Sequence, residues 1–485
     1  MNRIVFQLGS SVAPNGEPFL SISLEEPPVF GSRAMPFTCQ AGDPAFAALK
    51  AAVLAEDSIK LAGGKLFAAV WAHPDVQQYL QTALQTAAGS RYPVYVEIAT
   101  SAGAEALPWE ALCSPNGDYL GLDERWALAR IVEPAAEPPT FYTLTPPLRI
   151  AAVLSCLGIS AVGELAALRQ AVQQAGRDFA RLLVIASEEQ LISDLQDEIT
   201  AGTAPEVAAV KLMPAELSAL QTIVSDFRPH VLHLFCHGSI EGTPHVSLAL
   251  KSDWEVPTPT SGLLAEARDF HGFTRNTDDL PWLVVLNCCE GAAVGAAADS
   301  QSLTLGVALQ GIAAAVVGMR EPVVSDTANL LTQTLYSKLL ADIAARSGDA
   351  GQQPLDWARL VVAARDKLAR IYDGMVLSEA AASTKEWTMP VVYVRPDVFQ
   401  LRVERPPAPA PSDAVAPPPL PVPPSGKTAA RVARLEIEAL RALLTSLPPD
   451  QAADLKAEAA ARIEQLAQQI GLALPAPGLV PPATQ

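Results

Sequence analysis

From residue 148 to residue 395, short runs rich in Val, Ile and Leu alternate with longer segments of helical spacing. The apolar runs are 149–155, 182–186, 207–212, 230–236, 283–287, 313–318 and 391–395. The helical segments between them are 163–175, 188–199, 214–227, 302–310, 326–345 and 355–372. The runs lack a clean apolar/polar alternation, so each strand is expected to be buried on both faces. That leaves an α/β fold, a largely parallel sheet covered by helices on either side, whose ligands gather beyond the carboxyl ends of the strands.

Around this body the composition changes. Residues 1–145 read as an amino-terminal α+β part, with strand-like runs at 4–8, 20–24 and 93–98 and Ala-rich helical stretches at 45–61 and 76–88. Residues 146–403 hold the alternating pattern. Residues 404–426 form a linker, with ten prolines in the nineteen residues from Pro406 to Pro424; such a segment cannot bury itself and is expected to extend as a polyproline-like spacer. Residues 427–472 suit a helical hairpin broken at Pro448-Pro449, and 473–485 a disordered tail.

The chain carries 34 Lys and Arg against 52 Asp and Glu, a formal charge of -18. Broad attraction to nucleic acid or to an anionic membrane is therefore not expected, and a basic protein partner or substrate is steered better. The apolar stretch 303–319 is interrupted by Gln310 and Gly311 and falls short of the about 20 residues a bilayer core needs. It reads as a buried helix stopping at Gly311 and turning into a strand. The start of the chain lacks the pattern of a secretory signal. With cysteines at 39, 113, 156, 236, 288 and 289 in no framework spacing, the expectation is a cytoplasmic protein with free thiols.

Two of the apolar runs end in reactive side chains: Val231-Leu-His-Leu-Phe-Cys-His237-Gly238 and Leu283-Val-Val-Leu-Asn-Cys-Cys289-Glu-Gly291. If the strands are neighbours, the His237 imidazole can serve a thiol as base or as the cation of a thiolate pair, and later protonate a leaving amine. The backbone N–H groups of Gly238 and Cys289 are the natural donors to the developing oxyanion. Cys288 and Cys289 point to opposite faces of a strand, and Cys289, the last before the chain leaves the sheet, is taken as the nucleophile. No metal and no cofactor are expected: on a strand His233 and His237 lie roughly 13 Å apart at about 3.3 Å per residue, and adjacent thiols diverge.

The pairing of these motifs resembles the CHAT proteases, a branch of the caspase-like clan that includes separases and metacaspases. Further pieces agree in order: Leu107-Pro-Trp-Glu-Ala-Leu112, Tyr119-Leu120, Arg130-Ile-Val132, the stretch from Ala313 through Arg320 with Ser325-Asp326, Tyr336-Ser-Lys-Leu339, and Trp387-Thr-Met-Pro-Val-Val-Tyr-Val394. The resemblance covers about residues 90–400. It implies a caspase-like three-layer sandwich with a mostly parallel central sheet, an amino-terminal part packed on the catalytic part, and a His237–Cys289 dyad. It also implies a bacterial defence or signalling effector held in check by a regulatory or sensor protein partner.

In related enzymes the residue two before the cysteine lines the pocket for the residue preceding the cut; here it is the neutral Asn287. Glu290 and Asp326 could make that pocket negative, whereas Arg320 could make it positive. A basic residue before the cut is favoured. The expected function is a cysteine endopeptidase acting on a protein substrate. The alternative is a catalytically silent scaffold of the same fold that binds partners through its C-terminal helices.

Overall fold

The computed structural model describes residues 3–12, 17–51, 54–55, 57–98, 102–133, 141–155, 159–176, 178–239, 243–250, 262–275, 280–288, 305–321, 323–347, 351–371, 381–382 and 384–404. Cys289 and Glu290, and the linker, hairpin and tail expected beyond residue 404, lie outside the described residues. The chain divides into two units, residues 1–192 with 206–407 and residues 193–205 with 408–485. Of the second, the described part is the end of a helix and a turn closed by Thr203 N donating to Glu198 O at 2.9 Å.

The amino-terminal part contributes β1 (Ile4–Val12), β2 (Pro18–Glu26), β3 (Met35–Pro36), α1 (Pro44–Ala47), α2 (Ser58–Trp71), α3 (Pro74–Leu84), β4 (Val94–Ile98), α4 (Ala102–Glu105), β5 (Ala129–Ile131) and β6 (Phe141–Leu144). Next come β7 (Leu148–Ser155), α5 (Val162–Ala175), β8 (Ala180–Ala186), α6 (Glu189–Thr200), β9 (Val207–Leu212), α7 (Leu217–Phe227), β10 (Val231–Ser239), β11 (His245–Ala249) and β12 (Gly262–Glu266). The last are β13 (Leu283–Cys288), α8 (Leu305–Ala308), β14 (Ala315–Met319), α9 (Ser325–Ala344), β15 (Gln353–Pro354), α10 (Trp357–Ala369), β16 (Pro390–Val394) and β17 (Gln400–Val403).

Local chemistry marks the helix ends. Pro44 and Pro74 open α1 and α3, where a missing N–H costs nothing. Asp43 and Asp356 cap α1 and α10 by accepting from the N–H groups of Ala45 and Arg359. Gly176, at φ +95°, ends α5 in a conformation only glycine adopts without strain.

Among the described residues the main sheet runs β3-β2-β1-β4-β5-β16-β14-β13-β10-β7-β8-β9, with β11 and β12 attached to β10 as a ribbon; β15, β17 and β6 form a second, small sheet. From β14 to β9 every neighbour is parallel. β16 turns antiparallel against β14, and β5, β4 and β1 then follow it in parallel. The boundary expected near residue 145 is thus a change of connection and not a break in the sheet. Buried Trp109, Trp126 and Trp387 tie the two parts into one core, each indole N–H donating to a carbonyl, of Ala104, Ala83 and Ala381 respectively.

One face of the parallel half packs Leu232, Leu234, Cys236, Val284, Leu286 and Cys288 with Leu220 and Val224 of α7 and with Phe270 and Phe273. Side chains on the other face, such as His233, meet α5 and α9. Two covered faces make the three-layer α/β sandwich that the sequence pattern requires.

His230, at the entrance to β10, shows how burial sets protonation here. Its Nδ1 accepts from Arg149 N at 2.9 Å, and its ring lies 4.4 Å from the Trp282 ring centroid. Burial, and after it the Arg149 guanidinium, push the imidazole down to about 3. The unfolded chain takes up a proton near pH 6.5 that the folded chain refuses, so stability is complete above that pH and declines between pH 6.5 and about 3. The expected slope is about 1.4 kcal/mol per pH unit. Urea unfolding at pH 7 and pH 5 should show the loss in the wild type and a flatter profile in His230→Asn; an identical pH dependence in both would refute it.

Candidate active site

β10 and β13 are parallel neighbours, with Val231 opposite Leu283, Phe235 opposite Asn287, and Cys236 opposite Cys288. β7 flanks β10 on its other edge and stops at Ser155, opposite Cys236. The chain leaves β7 toward β8 on one side, while β10 begins the run toward β13 and β14 on the other. The sheet therefore reverses its winding direction between β7 and β10, where α/β sheets open a crevice.

The expectation that His237 ends its strand needs correction. β10 continues to Ser239 because β11 pairs with its tip, His237 opposite Ser247 and Gly238 opposite Val246. Ser155 Oγ donates to Ala249 O at 2.6 Å, which puts β11 beyond the end of β7, on that edge of β10. The opposite edge of His237 is the one facing the end of β13. His237 and Gly238 are half-buried.

Directly below on the strands is a buried polar cluster. Glu164 of α5 is fully buried and accepts from Asn287 Nδ2 at 2.8 Å and from Thr332 Oγ1 of α9 at 2.5 Å. Asn287 Nδ2 also reaches Thr332 Oγ1 at 3.0 Å and Ala328 O at 3.2 Å. His233 Nε2 stands 2.8 Å from the same Glu164 oxygen, off the line a hydrogen bond needs. Its ring meets Tyr336 edge to face, 5.6 Å between centroids. Glu164 Oε2 and Asn287 Oδ1 have no hydrogen-bond partner among the described residues.

The residues expected at the site are thus distributed as follows. Asn287 is 2% exposed and its amide is enclosed between α5 and α9. Asp326 is exposed in the first turn of α9, the helix that holds Asn287. Cys288 is buried in the apolar face with Cys236, away from Asn287, as alternation requires. Arg320, just after β14, is committed elsewhere: its Nη2 donates to Thr388 Oγ1 at 3.4 Å and its Nη1 lies 3.9 Å from Glu110. The four described cysteines are not joined in disulfides, and no group of three or more His, Cys, Asp or Glu among the described residues could hold a metal ion.

Glu110 anchors a second buried network, built from the Pro-Trp-Glu and Arg-Ile-Val landmarks of the sequence. Arg130 donates from Nε to Glu110 Oε1 at 3.0 Å and from Nη2 to Oε2 at 2.7 Å, and reaches the carbonyls of Glu105 and Leu107. Burial disfavours a charged Glu110, but the Arg130 guanidinium outweighs it, aided by Arg365 and Arg320, and holds the carboxyl below its ordinary range. Among the described residues Arg365 donates only to carbonyls, of Gly121, Leu128 and Pro390, and burial pushes it down to about 10.

Nothing in the sequence analysis singles out Glu164, and His233 enters it only through its spacing from His237. A glutamate on the apolar side of α5, amid Val162, Leu165 and Leu168, was the available signal, since burying a carboxylate demands partners. The ribbon of β11 and β12 was missed as well. Its strands are short and fall in the stretch between the two motifs.

A family model described as the CHAT domain matches residues 60–366, against the about 90–400 expected from the motifs. It begins in α2 and ends in α10, spanning both halves of the sheet. No curated protein matches the chain. No helix among the described residues is long and apolar enough to cross a membrane.

Proposed function

The chain belongs to the CHAT-domain family, whose fold is caspase-like and protease-related, and from that premise we propose that it is a cysteine endopeptidase with His237 as base and Cys289 as nucleophile. The observation that carries this is the register. Cys236 lies opposite Cys288 on neighbouring parallel strands, and His237 and Cys289 are the next residues along the two chain segments. Neighbouring positions of a parallel pair also share a face.

In the reaction the Cys289 sulfur, its proton taken by His237, adds to the scissile carbonyl carbon. The oxyanion accepts from the N–H groups of Gly238 and Cys289. Collapse breaks the C–N bond, and the imidazolium returns its proton to the departing amine, leaving a thioester. Water, deprotonated by His237, then releases the acid and restores the thiol. These steps use only the dyad, the backbone and water.

For the residue before the cut we infer a basic side chain, met by Asp326 and Glu290. The net charge of -18 steers such substrates. Regulation by a separate protein in a bacterial defence or signalling setting is part of the same reading, with the segment beyond residue 426 as the docking element.

Incubation with a panel of unfolded proteins, in cell extract that supplies activators, with cut sites mapped by mass spectrometry, should show cleavage after Lys or Arg. Cleavage after Asp or Glu would overturn the basic preference. Absence of cleavage together with absence of labelling by a peptide electrophile would leave the silent scaffold.

A further inference from the structure

We propose that Glu164 is a positioning residue: its buried carboxylate, acting with Thr332 through the Asn287 amide, sets where the tip of β13 and hence Cys289 stands relative to His237. This rests on the proteolytic reading above and extends it to a residue on a different element. Asn287 is two positions before Cys289 on the chain, so whatever fixes its side chain fixes the strand end from which the thiol departs.

The geometry is that of a clamp. One amide nitrogen is held by acceptors from two helices, Glu164 Oε1 of α5 at 2.8 Å, and Thr332 Oγ1 at 3.0 Å and Ala328 O at 3.2 Å of α9. Thr332 in turn donates to Glu164, which closes the ring. Gly163 lets the helices approach this closely, because a Cβ there would stand 2.4 Å from the Asn329 amide nitrogen. Carrying an acid into a fully buried position is costly, and an apolar core would be easier to build. Among the described residues Glu164 Oε2 and Asn287 Oδ1 have no hydrogen-bond partner, which adds to that cost. A buried hydrogen-bonded cluster at this place makes sense as a rigid support for reacting groups, where a displacement of about 1 Å costs about a hundredfold in rate.

The test uses the full chain with Glu164→Ala, Glu164→Gln and Asn287→Ala. Two quantities are measured: kcat and KM on a cleaved peptide, and the rate at which iodoacetamide alkylates Cys289 across pH, read by peptide mass spectrometry with the urea-unfolded chain as reference. Glu164→Ala and Asn287→Ala should lower kcat at least tenfold with KM changed less than threefold. Both should shift the alkylation profile of Cys289 in the folded chain but not in the unfolded one. Glu164→Gln, which keeps an acceptor for Asn287, should recover most of the rate.

A kcat within twofold of wild type in both alanine variants, or a loss that only tracks the fraction unfolded by circular dichroism, would overturn the clamp. If the wild type itself cleaves nothing, the proteolytic reading fails separately. The alkylation profile still decides the clamp, since an unaltered profile in the variants rejects it and an altered one upholds it.

Discussion

Cys289→Ala is expected to abolish peptide cleavage, by about a thousandfold or more, whereas Cys288→Ala leaves turnover within a few-fold of wild type. The two cysteines are adjacent and chemically identical, so only their placement separates them. Cys288 is 2% exposed and packs with Cys236, Leu286 and Val284 on the face covered by α7. A thiol in that position cannot meet a peptide bond. Its removal leaves a small cavity, and its cost is to stability, on the order of 1 kcal/mol. Cys289 follows Cys288 in the chain as His237 follows Cys236, the residue opposite Cys288, and His237 itself pairs with Ser247 of β11. Active-site titration with a peptide electrophile checks this directly. Labelling that persists in Cys289→Ala and vanishes in Cys288→Ala would exchange their roles and remove the proposed dyad.

The largest loss of stability is expected from Glu110→Ala, about 3–5 kcal/mol, because it strands buried cations. Arg130 would lose both of its carboxylate hydrogen bonds and keep only the carbonyls of Glu105 and Leu107. Arg320 and Arg365, both drawing on the same anion, would each face Arg130 without it. Glu110→Gln should be milder, since it keeps acceptor and shape but not charge. Equilibrium denaturation measures both; a loss under about 1 kcal/mol for the alanine variant would show that the carbonyls suffice.

The same pair dictates a second acid transition. The Glu110 carboxyl is held below its ordinary value of 4.5, so its contribution is present above that pH and is lost as pH falls through the lower folded value. His230 acts earlier, from pH 6.5 downward. Acid destabilisation should therefore begin with His230→Asn-sensitive loss and end with Glu110→Gln-sensitive loss.

Much of this molecule is legible in its sequence because burial writes a local pattern. The parallel strands β7, β8, β9, β10 and β13 and the helices α5, α7 and α9 fall where apolar runs and helical spacing place them, with ends displaced by a few residues. The motif ends of β10 and β13 could likewise be matched to a protease family from their residues alone. Trp109 and Trp387, which lie within the family motifs, are fully buried in the core.

Partnership is a different matter. That β5 joins β16, that β11 extends the tip of β10, and that Glu164, His233, Asn287 and Thr332 share one buried cluster all depend on contacts between segments far apart in the chain. Local propensity is set by neighbours within a turn or a strand, so sequence by itself determined which segments become strand or helix and which family the chain belongs to. Only the packed sheet decided the register at the β10 and β13 tips and which charges were buried together, because those are settled by the closure of long-range contacts and by the need of each buried charge for a counterpart.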